Sequence, residues 1–509
     1  MSKIKTALIS VSDKTGLDKL CKSLIDNKVE IISTGGTLKA IKSMGFPVTA
    51  IDDYTGFPEM MDGRVKTLHP KVHGGLLARR DNELHMNSLK ENGMQEIGLV
   101  AVNLYPFEEV SSREDSTLEQ CIENIDIGGP SMIRSAAKNH ASVTVLVDPS
   151  QYTAFIREFE SNDGEISSEL NFDFACQAFS RTAAYDAVIS SYLTDSSSLA
   201  SLKSMQLELA QSLRYGENPH QEAKFYKTKG QSLNWSQHHG KELSYNNLLD
   251  LDAALDIARE FSEPLCAIIK HTNPCGLSVG GSNMENLDRA IMADPVSFFG
   301  GIVIFNAEVT IDESEEMAKH FFELIIAPSF SKTAMENLTK KKNIRLITYK
   351  DLEDLPIVYR SAAGGFLSQQ ADIVKEKAED FQIVTKVRPD QSLLKQMEYA
   401  NKAVKALKSN AVLFWKDSMA AGMGTGQMSR VDSIRFAIEK GKMANIDLSG
   451  SILASDAFFP FRDGVDLAIQ AGALAIVQPG GSKRDQESID ACDEAGIPMV
   501  FTGLRHFRH

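Results

Sequence analysis

The first 150 residues alternate short apolar runs with amphipathic stretches, and this alternation constrains the fold more than any other feature of the chain. The apolar runs predict strands at residues 4–9, 29–32, 48–51, 99–104 and 143–147. The stretches between them predict helices at residues 37–44, near Pro130, and from a cap at Ser12 or Asp13 to Asn27. Because strands that alternate with helices form parallel sheets with covered faces, we expect an α/β domain with its ligand at the carboxyl ends of the strands.

The rest of the chain predicts a second α/β region beyond a polar boundary. Residues 172–193 have a strong helical pattern, and the Ser-rich segment 194–201 marks the main domain boundary. Further on, we expect strands at residues 266–269, 302–305, 473–477 and 498–501, and helices at residues 391–404, 463–470 and 488–494. We therefore predict one domain over residues 1–195, with a core at 1–148 and a helical extension, and another over residues 204–509. The second is long enough for two subdomains, although no internal sequence repeat is visible.

Composition argues against several classes of protein. The net charge of -14 disfavours a nucleic-acid partner, since binding a polyanion needs a broad basic surface. No run of about 18 apolar residues occurs, so no membrane span is expected. The first residues lack the apolar core of a signal peptide, and the six cysteines form no CxxC pair, which together predict a cytoplasmic protein with reduced thiols.

Two loops at strand ends suit a phosphate group. Ser-Val-Ser-Asp-Lys-Thr at residues 10–15 follows the first predicted strand, and Ser-Thr-Gly-Gly-Thr at residues 33–37 follows the second. Glycines let the backbone approach an anion, hydroxyls donate hydrogen bonds, and a helix N-terminus adds N–H groups. Either loop alone is also ordinary helix capping, but on neighbouring strands the two can bracket one phosphate monoester.

Polar residues follow later in the same domain. The segment 61–75 is dense in cations, Tyr105 ends a predicted strand, and Asp126 precedes Gly-Gly-Pro at a helix start. A tyrosine at a strand end usually packs and an aspartate before Gly-Gly-Pro usually forms a turn, so the residue types alone leave packing and catalysis both open. His69 and His73 have the spacing of a helical metal pair, but Pro70 between them argues against a metal site.

The second domain has its own group of polar residues after a strand. Lys270 and His271 follow an apolar run and precede the turn-forming Asn-Pro-Cys-Gly. They are either solvated loop residues or site residues, and a histidine beside a lysine could move protons near neutral pH. Pro274-Cys275 has no second cysteine two residues on, so the ligand set of a zinc deaminase is incomplete.

The motifs of the first domain, taken in order, resemble those of one family. They are residues 10–17, 33–37 and 61–75, Asn-Leu-Tyr-Pro-Phe at 103–107, Asp-Ile-Gly-Gly-Pro at 126–130 and Ala-Ala-Lys-Asn-His at 136–140. They resemble the IMP cyclohydrolase domain of the bifunctional purine-biosynthesis family, whose fold is similar to that of methylglyoxal synthase. The resemblance implies catalytic roles for Lys66, Tyr105, Asp126 and Lys138. It implies substrate binding by Ser12, Lys14, Ser33, Thr34, Gly35, Gly36, Thr37, Arg64 and Thr67.

Motifs over nearly the whole second part resemble the formyltransferase domain of the same family, which implies two subdomains similar to cytidine deaminase. They include residues 213–221, 243–247, 268–276, 294–297, 325–328, 408–411 and 455–461. The resemblance implies that Lys270 and His271 are catalytic. It implies substrate contacts by Arg214, Tyr215, Asn246, Glu323, Asn410, Arg430, Phe458, Phe459 and Arg505. Glu323 is a mild departure, since an aspartate is expected there.

This resemblance implies the last two steps of IMP synthesis. The formyl group of 10-formyltetrahydrofolate, a co-substrate, would pass to the 5-amino group of aminoimidazole carboxamide ribotide (AICAR), giving FAICAR, and dehydrative ring closure would give IMP. Both steps need acid–base groups and hydrogen-bond donors, and no catalytic metal is expected. The family further implies a homodimer with the formyltransferase site between subunits, and partners limited to small molecules.

Two other functions are compatible with parts of the sequence. The first domain could be a non-catalytic sensor of phosphorylated ligands. The intact set Lys66, Tyr105, Asp126 and Lys138 argues against this, because a sensor needs only the phosphate loops. A zinc deaminase fails on its ligand count.

Overall fold

The chain folds into two compact units that divide between Gln206 and Leu207. The computed structural model describes residues 3–105, 107–113, 115–195, 204–229, 231–350, 352 and 357–509. The predicted boundary segment, residues 194–201, lies outside these described residues from residue 196 onward. Each unit is a separate α/β body, in agreement with the predicted fold class.

A five-stranded parallel sheet forms the centre of the first unit, with strand order β3-β2-β1-β4-β5. The strands are β1 (Thr6–Val11), β2 (Glu30–Ser33), β3 (Thr49–Ala50), β4 (Leu99–Asn103) and β5 (Thr144–Leu146). All five predicted strands are confirmed within two residues at either end. They form a parallel sheet because their apolar side chains are buried under helices, and β1 and β4 are buried along nearly their whole length.

Ten helices of the first unit are described. They are α1 (Leu17–Asp26), α2 (Gly35–Ser43), α3 (Ile51–Thr55), α4 (Pro70–Leu77), α5 (Glu83–Glu91), α6 (Phe107–Ser111), α7 (Leu118–Glu123), α8 (Gly128–Lys138), α9 (Tyr152–Ser161) and α10 (Ser168–Asp195), with short 3-10 turns at Met61–Gly63 and Pro149–Gln151. The long helix α10, predicted over residues 172–193, packs on α8, β5 and α6. It therefore belongs to the core of this unit.

The predicted start of the first helix is wrong. Helix α1 begins at Leu17 after Gly16, whose φ of 69° is left-handed, and neither Ser12 nor Asp13 caps it. Asp13 instead accepts a hydrogen bond from the Thr15 N–H at 2.8 Å, and Ser12 Oγ donates to Asn103 Oδ1 at 2.8 Å. Both predicted caps are thus bonded within the loop or to the neighbouring strand, and neither bonds to the helix end.

Most strands of the second unit form one mixed sheet of twelve, in the order β16-β21-β20-β19-β17-β18-β10-β9-β11-β12-β13-β8. These strands are β8 (Trp235–His239), β9 (Leu265–Lys270), β10 (Asn273–Val279), β11 (Ile302–Phe305), β12 (Leu324–Ala327), β13 (Arg345–Tyr349), β16 (Gln382–Ile383), β17 (Val412–Lys416), β18 (Met419–Gly424), β19 (Ser451–Ser455), β20 (Ala473–Gln478) and β21 (Met499–Phe501). Two separate ribbons pair β6 (Leu207–Leu213) with β7 (Ala223–Thr228) and β14 (Ile357–Ala362) with β15 (Gly365–Gln370). The four strands predicted for this part are all present.

Helices cover both faces of the large sheet. They are α11 (Tyr245–Glu260), α12 (Asn283–Ala293), α13 (Ile311–Lys319), α14 (Lys332–Leu338), α15 (Gln391–Lys405), α16 (Arg430–Met443), α17 (Arg462–Gln470) and α18 (Asp485–Ala495), with a 3-10 turn at Ala378–Asp380. On one face α11 and α15 cover a single apolar core. On the other face α12, α13 and α14 cover a second core, and α16, α17 and α18 cover a third.

The sheet consists of two halves with the same path. The first runs β8-α11-β9-β10-α12-β11-α13-β12-α14-β13, and the second runs β16-α15-β17-β18-α16-β19-α17-β20-α18-β21. Parallel and antiparallel neighbours also correspond, and the halves join where β10 pairs antiparallel with β18. The similarity of these halves to cytidine deaminase stays a prediction.

Candidate active sites

A cavity of about 620 Å³ lies in the first unit where β1, β2 and β4 end. These strands are neighbours in the sheet, so the loops that follow them meet at one edge. Many residues predicted for this site line the cavity: Ser12, Lys14, Thr34, Gly35, Gly36, Thr37, Arg64, Lys66, Thr67, Tyr105 and Asp126. The sequence motifs therefore converge in space.

The two Ser/Thr/Gly loops form one side of this cavity. Gly35 and Gly36 open α2, so their backbone N–H groups are at a helix N-terminus. Thr34 Oγ1 lies 3.0 Å from Ser10 Oγ, which joins the two loops. The Thr37 hydroxyl accepts from the Val11 N–H at 2.9 Å and donates to the Val11 carbonyl at 2.8 Å, so it holds the loops rather than offering a free donor.

Ser33 lies outside the cavity lining. It is fully buried, and its hydroxyl donates to the Ile9 carbonyl at 2.7 Å across the sheet. Its hydroxyl therefore joins β2 to β1.

Asn103 organises the loop after β1, and sequence reasoning missed it as a site residue. Its Oδ1 accepts from the Ser12 N–H at 2.5 Å, from Ser12 Oγ at 2.8 Å and from the Asp13 N–H at 3.0 Å. Its Nδ2 donates to the Asp13 carbonyl at 3.0 Å. The residue stands in the quoted motif at 103–107, which was the only signal available in the sequence.

Lys66, Tyr105 and Asp126 gather on the other side of the cavity. A methyl group at Gly35 would lie 3.3 Å from Lys66 Nζ, so the ammonium group lies directly against the phosphate loop. Burial raises the pKa of Asp126, although hydrogen bonds from the Gly129 and Tyr105 N–H groups and the Lys66 charge oppose this. Burial, together with the Asp126 charge, also raises the pKa of Tyr105, so its phenol keeps its proton at neutral pH.

Asp126 is fixed by the first turn of α8. Its Oδ1 accepts from the Gly129 N–H at 2.8 Å, and a Cβ at Gly129 would lie only 2.4 Å from its Oδ2. The aspartate is therefore both the turn former that the sequence suggested and a cavity residue. Across the mouth, Arg64 pairs with Glu123, and both side chains are largely exposed.

Lys138 is the one predicted catalytic residue of this unit that lies outside the cavity. It is exposed at the C-terminal end of α8, whereas Gly128 and Gly129 of the first turn line the cavity. Ten residues of helix separate it from Gly128 by about 15 Å. The catalytic role of Lys138 stays a prediction.

The two histidines of the cationic segment are used structurally. His69 caps α4 by accepting from the Lys71 N–H at 3.1 Å, and His73 Nδ1 lies 3.0 Å from Ser135 Oγ. Within the described part of the chain, no group of three or more His, Cys, Asp and Glu side chains is arranged to hold a metal ion.

In the second unit Lys270 and His271 lie at the turn between β9 and β10. His271 and Thr272 both have positive φ, 54° and 62°, as a tight two-residue hairpin requires. The Thr272 N–H donates to Asp250 Oδ1 at 2.6 Å, and Lys270 Nζ donates to the Phe299 carbonyl at 2.9 Å. Burial raises the pKa of Asp250, and the nearby His271 opposes this. Asp250 was not anticipated from the sequence.

Glu323 belongs to the same neighbourhood. Its Oε2 accepts from Asn247 Nδ2 at 3.0 Å and lies 3.9 Å from Arg345 Nη1. Its charge also raises the pKa of Asp250. Asn246, one residue before Asn247, donates instead to the Glu217 carbonyl at 3.4 Å.

A second cavity, of about 460 Å³, is lined by Asn410, Arg430, Phe458, Phe459 and Arg505. Arg430 is buried, and its Nη1 donates to Ser455 Oγ at 2.8 Å and pairs with Asp456. Its Nη2 donates to Asn410 Oδ1 at 3.1 Å, which orients that amide.

The two phenylalanines of this cavity differ in exposure. Phe458 is 36% exposed, whereas Phe459 is only 1% exposed. Phe458 therefore offers far more side-chain surface to a ligand than Phe459 does.

The remaining predicted residues of the second unit lie outside this cavity. They are Lys270, His271, Arg214, Tyr215, Asn246 and Glu323. Arg214 and Tyr215 follow β6 and stack on each other, with the guanidinium carbon 5.5 Å from the ring centroid. The predicted formyltransferase residues therefore do not all line this one cavity, although Asn273, next to the His271-Thr272 turn, accepts from the Lys408 N–H at 3.0 Å, two residues before Asn410.

Two family models match this chain. The MGS-like domain matches residues 16–131, which contain most of the first cavity. The model described as AICARFT/IMPCHase bienzyme matches residues 136–440, more than half of the chain. The chain belongs to the AICARFT/IMPCHase bienzyme family. A solved structure titled "Crystal structure of ForH" is also similar, with 33% identity over 37% of this chain and 99% of that chain and a TM-score of 0.34.

Membership confirms the predicted function. The bienzyme catalyses the last two steps of purine biosynthesis, formyl transfer and cyclohydrolysis, and its small-molecule substrates and product are AICAR, FAICAR and IMP. The formyl donor is derived from folate. In the described residues, no helix has the length and apolar character needed to cross a membrane.

Proposed function

We propose that the first unit, with its domain at residues 1–195, closes the ring and that the second, at residues 204–509, transfers the formyl group. The observation that carries this assignment is the convergence of Lys66, Tyr105 and Asp126 beside the phosphate loops in a single cavity. A phosphate cradle alone would serve a sensor, whereas a buried carboxyl, a phenol and an ammonium group together supply acid–base chemistry.

In ring closure the carboxamide nitrogen of FAICAR forms a bond to the formyl carbon. The C–O bond of the former formyl group then breaks, and the oxygen leaves as water with one proton from the carboxamide nitrogen and one from the formamido nitrogen. Lys66 and the protonated Tyr105 can stabilise the developing oxyanion, and the Asp126 carboxylate can accept a proton from nitrogen. The 5′-phosphate would bind at Lys14 and the N-terminus of α2.

In formyl transfer the donor is 10-formyltetrahydrofolate. The 5-amino nitrogen of AICAR bonds to the formyl carbon, the bond from that carbon to the folate nitrogen breaks, and the proton lost by the amine is balanced by one gained at the folate nitrogen. His271 and Lys270 share these transfers, and the Asp250 carboxyl holds the backbone of the turn that carries His271 by accepting from the Thr272 N–H. No step requires a metal ion.

We also propose that the bienzyme acts in the cytoplasm as a homodimer. The resemblance to the family is the ground for a formyltransferase site shared between two copies, and Lys270 and His271 do not line the cavity that contains Asn410. Lys138, which lies outside the cavity of its own chain, would act from the second copy.

A two-stage assay tests the division of labour. One stage supplies AICAR with 10-formyltetrahydrofolate and follows folate release, and the other supplies FAICAR and follows IMP. Lys66→Ala should lose ring closure by at least about 100-fold and keep formyl transfer, and Lys270→Ala should do the reverse, because acid–base groups typically contribute that much.

Matched lysine variants provide the controls. Lys71→Ala stands in the same cationic segment, where Nζ donates to the Tyr54 carbonyl at 3.3 Å. Lys416→Ala stands at the corresponding turn of the second half, where Nζ donates to the Asp447 carbonyl at 2.6 Å. Both should keep both activities. Ring closure at the wild-type rate in Lys66→Ala would show that the first cavity only binds a ligand.

Subunit mixing tests the shared site. Lys270→Ala and Asn410→Ala homodimers are each unfolded, mixed and refolded. If the two residues act from different copies in one site, random pairing restores about a quarter of wild-type formyl transfer. Mixing that restores nothing, in a sample shown to contain heterodimers, would contradict a shared site.

A further inference from the structure

The backbone of Asp126 is held from outside the cavity by a helix that follows the MGS-like part of the chain. The Asp126 N–H donates to Tyr185 Oη at 2.8 Å, and that hydroxyl donates in turn to the Asn124 carbonyl at 3.3 Å. One hydroxyl thus joins two backbone groups, two residues apart, in the segment between α7 and α8. The segment has no regular secondary structure to satisfy these groups.

The position of this hydroxyl is set by a buried ring. Tyr185 is 6% exposed, and its ring meets the Phe107 ring edge-on at 6.4 Å between centroids. Phe107 is itself 1% exposed. Since aromatic pairs of this geometry and depth have little freedom, the hydroxyl is a fixed point against which the segment is held.

The carboxyl group of Asp126 is held from the opposite side by the Gly129 N–H of α8. Tyr185 secures the backbone of Asp126, whereas the Gly129 and Tyr105 N–H groups secure its side chain. The neighbouring Ile127 is 58% exposed and gives little packing of its own. Without the Tyr185 hydroxyl, the carboxyl group keeps its bonds from the Gly129 and Tyr105 N–H groups, but the Asp126 N–H and the Asn124 carbonyl lose the partner that fixes this backbone.

Tyr185 belongs to α10, which lies beyond residues 16–131 of the MGS-like match and within residues 136–440 of the bienzyme match. The phosphate loop at residues 33–37 lies in the first of these regions, and the hydroxyl that holds the backbone of Asp126 lies in the second. Burial raises the pKa of Tyr185, so the hydroxyl keeps the proton that it donates.

We propose that Tyr185 is a positioning residue for ring closure, whose hydroxyl holds residues 124–126 so that the Asp126 carboxyl group faces the substrate. This inference rests on the proposed catalytic role of Asp126. Tyr185 acts through the backbone and lies outside the cavity lining, so it contributes to the rate of the chemical step and not to phosphate binding.

The test is Tyr185→Phe, which keeps the ring and removes the hydroxyl. We expect kcat for ring closure to fall by about 10- to 100-fold, because small misplacements of a reacting group cost that much. KM for FAICAR should stay within about twofold, since the phosphate loops are unchanged, and formyl transfer by the same protein should keep its wild-type rate.

Tyr192→Phe is the matched control. Tyr192 lies on the same helix, its ring is 5.6 Å from the same Phe107 ring, and its hydroxyl bonds to Cys121. It should keep wild-type ring closure. If Tyr185→Phe also keeps kcat within twofold of wild type, or if both variants lose kcat equally, the positioning role is wrong.

A double variant separates the two proposals. If Tyr185 acts through Asp126, then Asp126→Asn with Tyr185→Phe should be no slower than Asp126→Asn alone. Multiplied losses in the double variant would overturn the inference. Wild-type ring closure in Asp126→Asn would instead overturn the proposed catalytic role, whatever Tyr185→Phe does.

Discussion

At the scale of single residues, Asn103 shows how one side chain can set the shape of a binding loop. Its amide makes four hydrogen bonds to the segment Ser12-Asp13, which lies next to Lys14. The oxygen accepts and the nitrogen donates, so neither an aspartate nor a leucine can reproduce the set. The conformation of the phosphate loop therefore depends on the strand beside it.

We predict that Asn103→Ala weakens binding of FAICAR. The loop would lose its bonds to β4, so KM for ring closure should rise by about tenfold or more, and stability should fall by about 1–3 kcal/mol. Steady-state kinetics with FAICAR and thermal unfolding measure both effects. Asn27→Ala, which removes an amide at the end of α1 that bonds to the Ser23 carbonyl, should leave KM unchanged. An equal KM in both variants would refute the role of Asn103.

The sequence identified most residues of this cavity but little of what each one does. Residues with hydroxyl groups and glycines at strand ends predicted a phosphate site, and most of these residues do line one cavity. The same pattern does not predict that the Ser33 hydroxyl bonds to the neighbouring strand. Nor does it predict that the Thr37 hydroxyl bonds to the backbone of Val11. Those roles depend on partners from other strands, which become neighbours only in the folded chain.

At the scale of elements, strands were easier to predict than helix ends. Apolar runs of four to six residues are buried where the sheet forms, so the apolar pattern of the sequence is enough to predict β1, β4 and β11. The start of α1 depends instead on which polar group caps it, and the nearby hydroxyl and carboxyl groups bond elsewhere. Helix ends are therefore tertiary features as much as local ones.

The segment after β21 is held by one charged histidine. His506 is 3% exposed, and its two ring nitrogens donate to Asp372 at 2.6 Å and to Glu376 at 2.8 Å. Burial opposes the charge, but the two carboxylates outweigh it and raise the pKa of His506 to about 9. Lys405 lies 3.6 Å from Asp372 on the other side. The backbone N–H of His506 also donates to the backbone carbonyl of Asp456 at 2.9 Å, which connects the segment to the second cavity.

We predict that His506→Gln is destabilised most at low pH. The folded pKa lies above the unfolded value near 6.5, so the contribution is complete below about pH 6.5 and is lost as the pH rises through 9. Its size is at most on the order of 3 kcal/mol. Thermal unfolding at pH 6, 7.5 and 9.5 should show a gap from wild type that narrows with pH. His220→Gln, at an exposed site, is the control, and a gap independent of pH would refute the ion pairs.

At the scale of the whole chain, the repeated path of the second unit is a structural fact that the sequence conceals. The turns Lys270-His271-Thr272 and Lys416-Asp417-Ser418 correspond, and both place two residues at positive φ. Asn306 and Asp456 follow corresponding strands, yet Asn306 bonds to backbone and Asp456 pairs with Arg430. Backbone geometry is shared while side chains differ, so residue identities reveal no repeat.

One lysine of the second half forms an ion pair with an aspartate of the first half. Lys440 of α16, in the second half, donates to Asp294 Oδ2 at 2.6 Å in the first. Asp294 Oδ1 accepts from the N–H groups of Val296 and Ser297 at 3.2 and 2.9 Å, which shapes the turn leading to Phe299. The Phe299 carbonyl then accepts from Lys270 Nζ. A continuous set of contacts thus runs from the second half to the proposed catalytic lysine.

We predict that Lys440→Met slows formyl transfer by about tenfold while ring closure in the first unit stays at the wild-type rate. Loss of the ammonium leaves Asp294, which is 8% exposed, without its ionic partner, so the turn that presents the Phe299 carbonyl relaxes. Lys442→Met removes a charge from the same helix, where Nζ lies 3.8 Å from Glu439 in an exposed pair, and should change neither rate. If the two variants transfer the formyl group equally fast, Lys270 is positioned by the first half alone. A selective loss in Lys440→Met would instead show that the second half of the sheet helps to position the proposed catalytic lysine of the first.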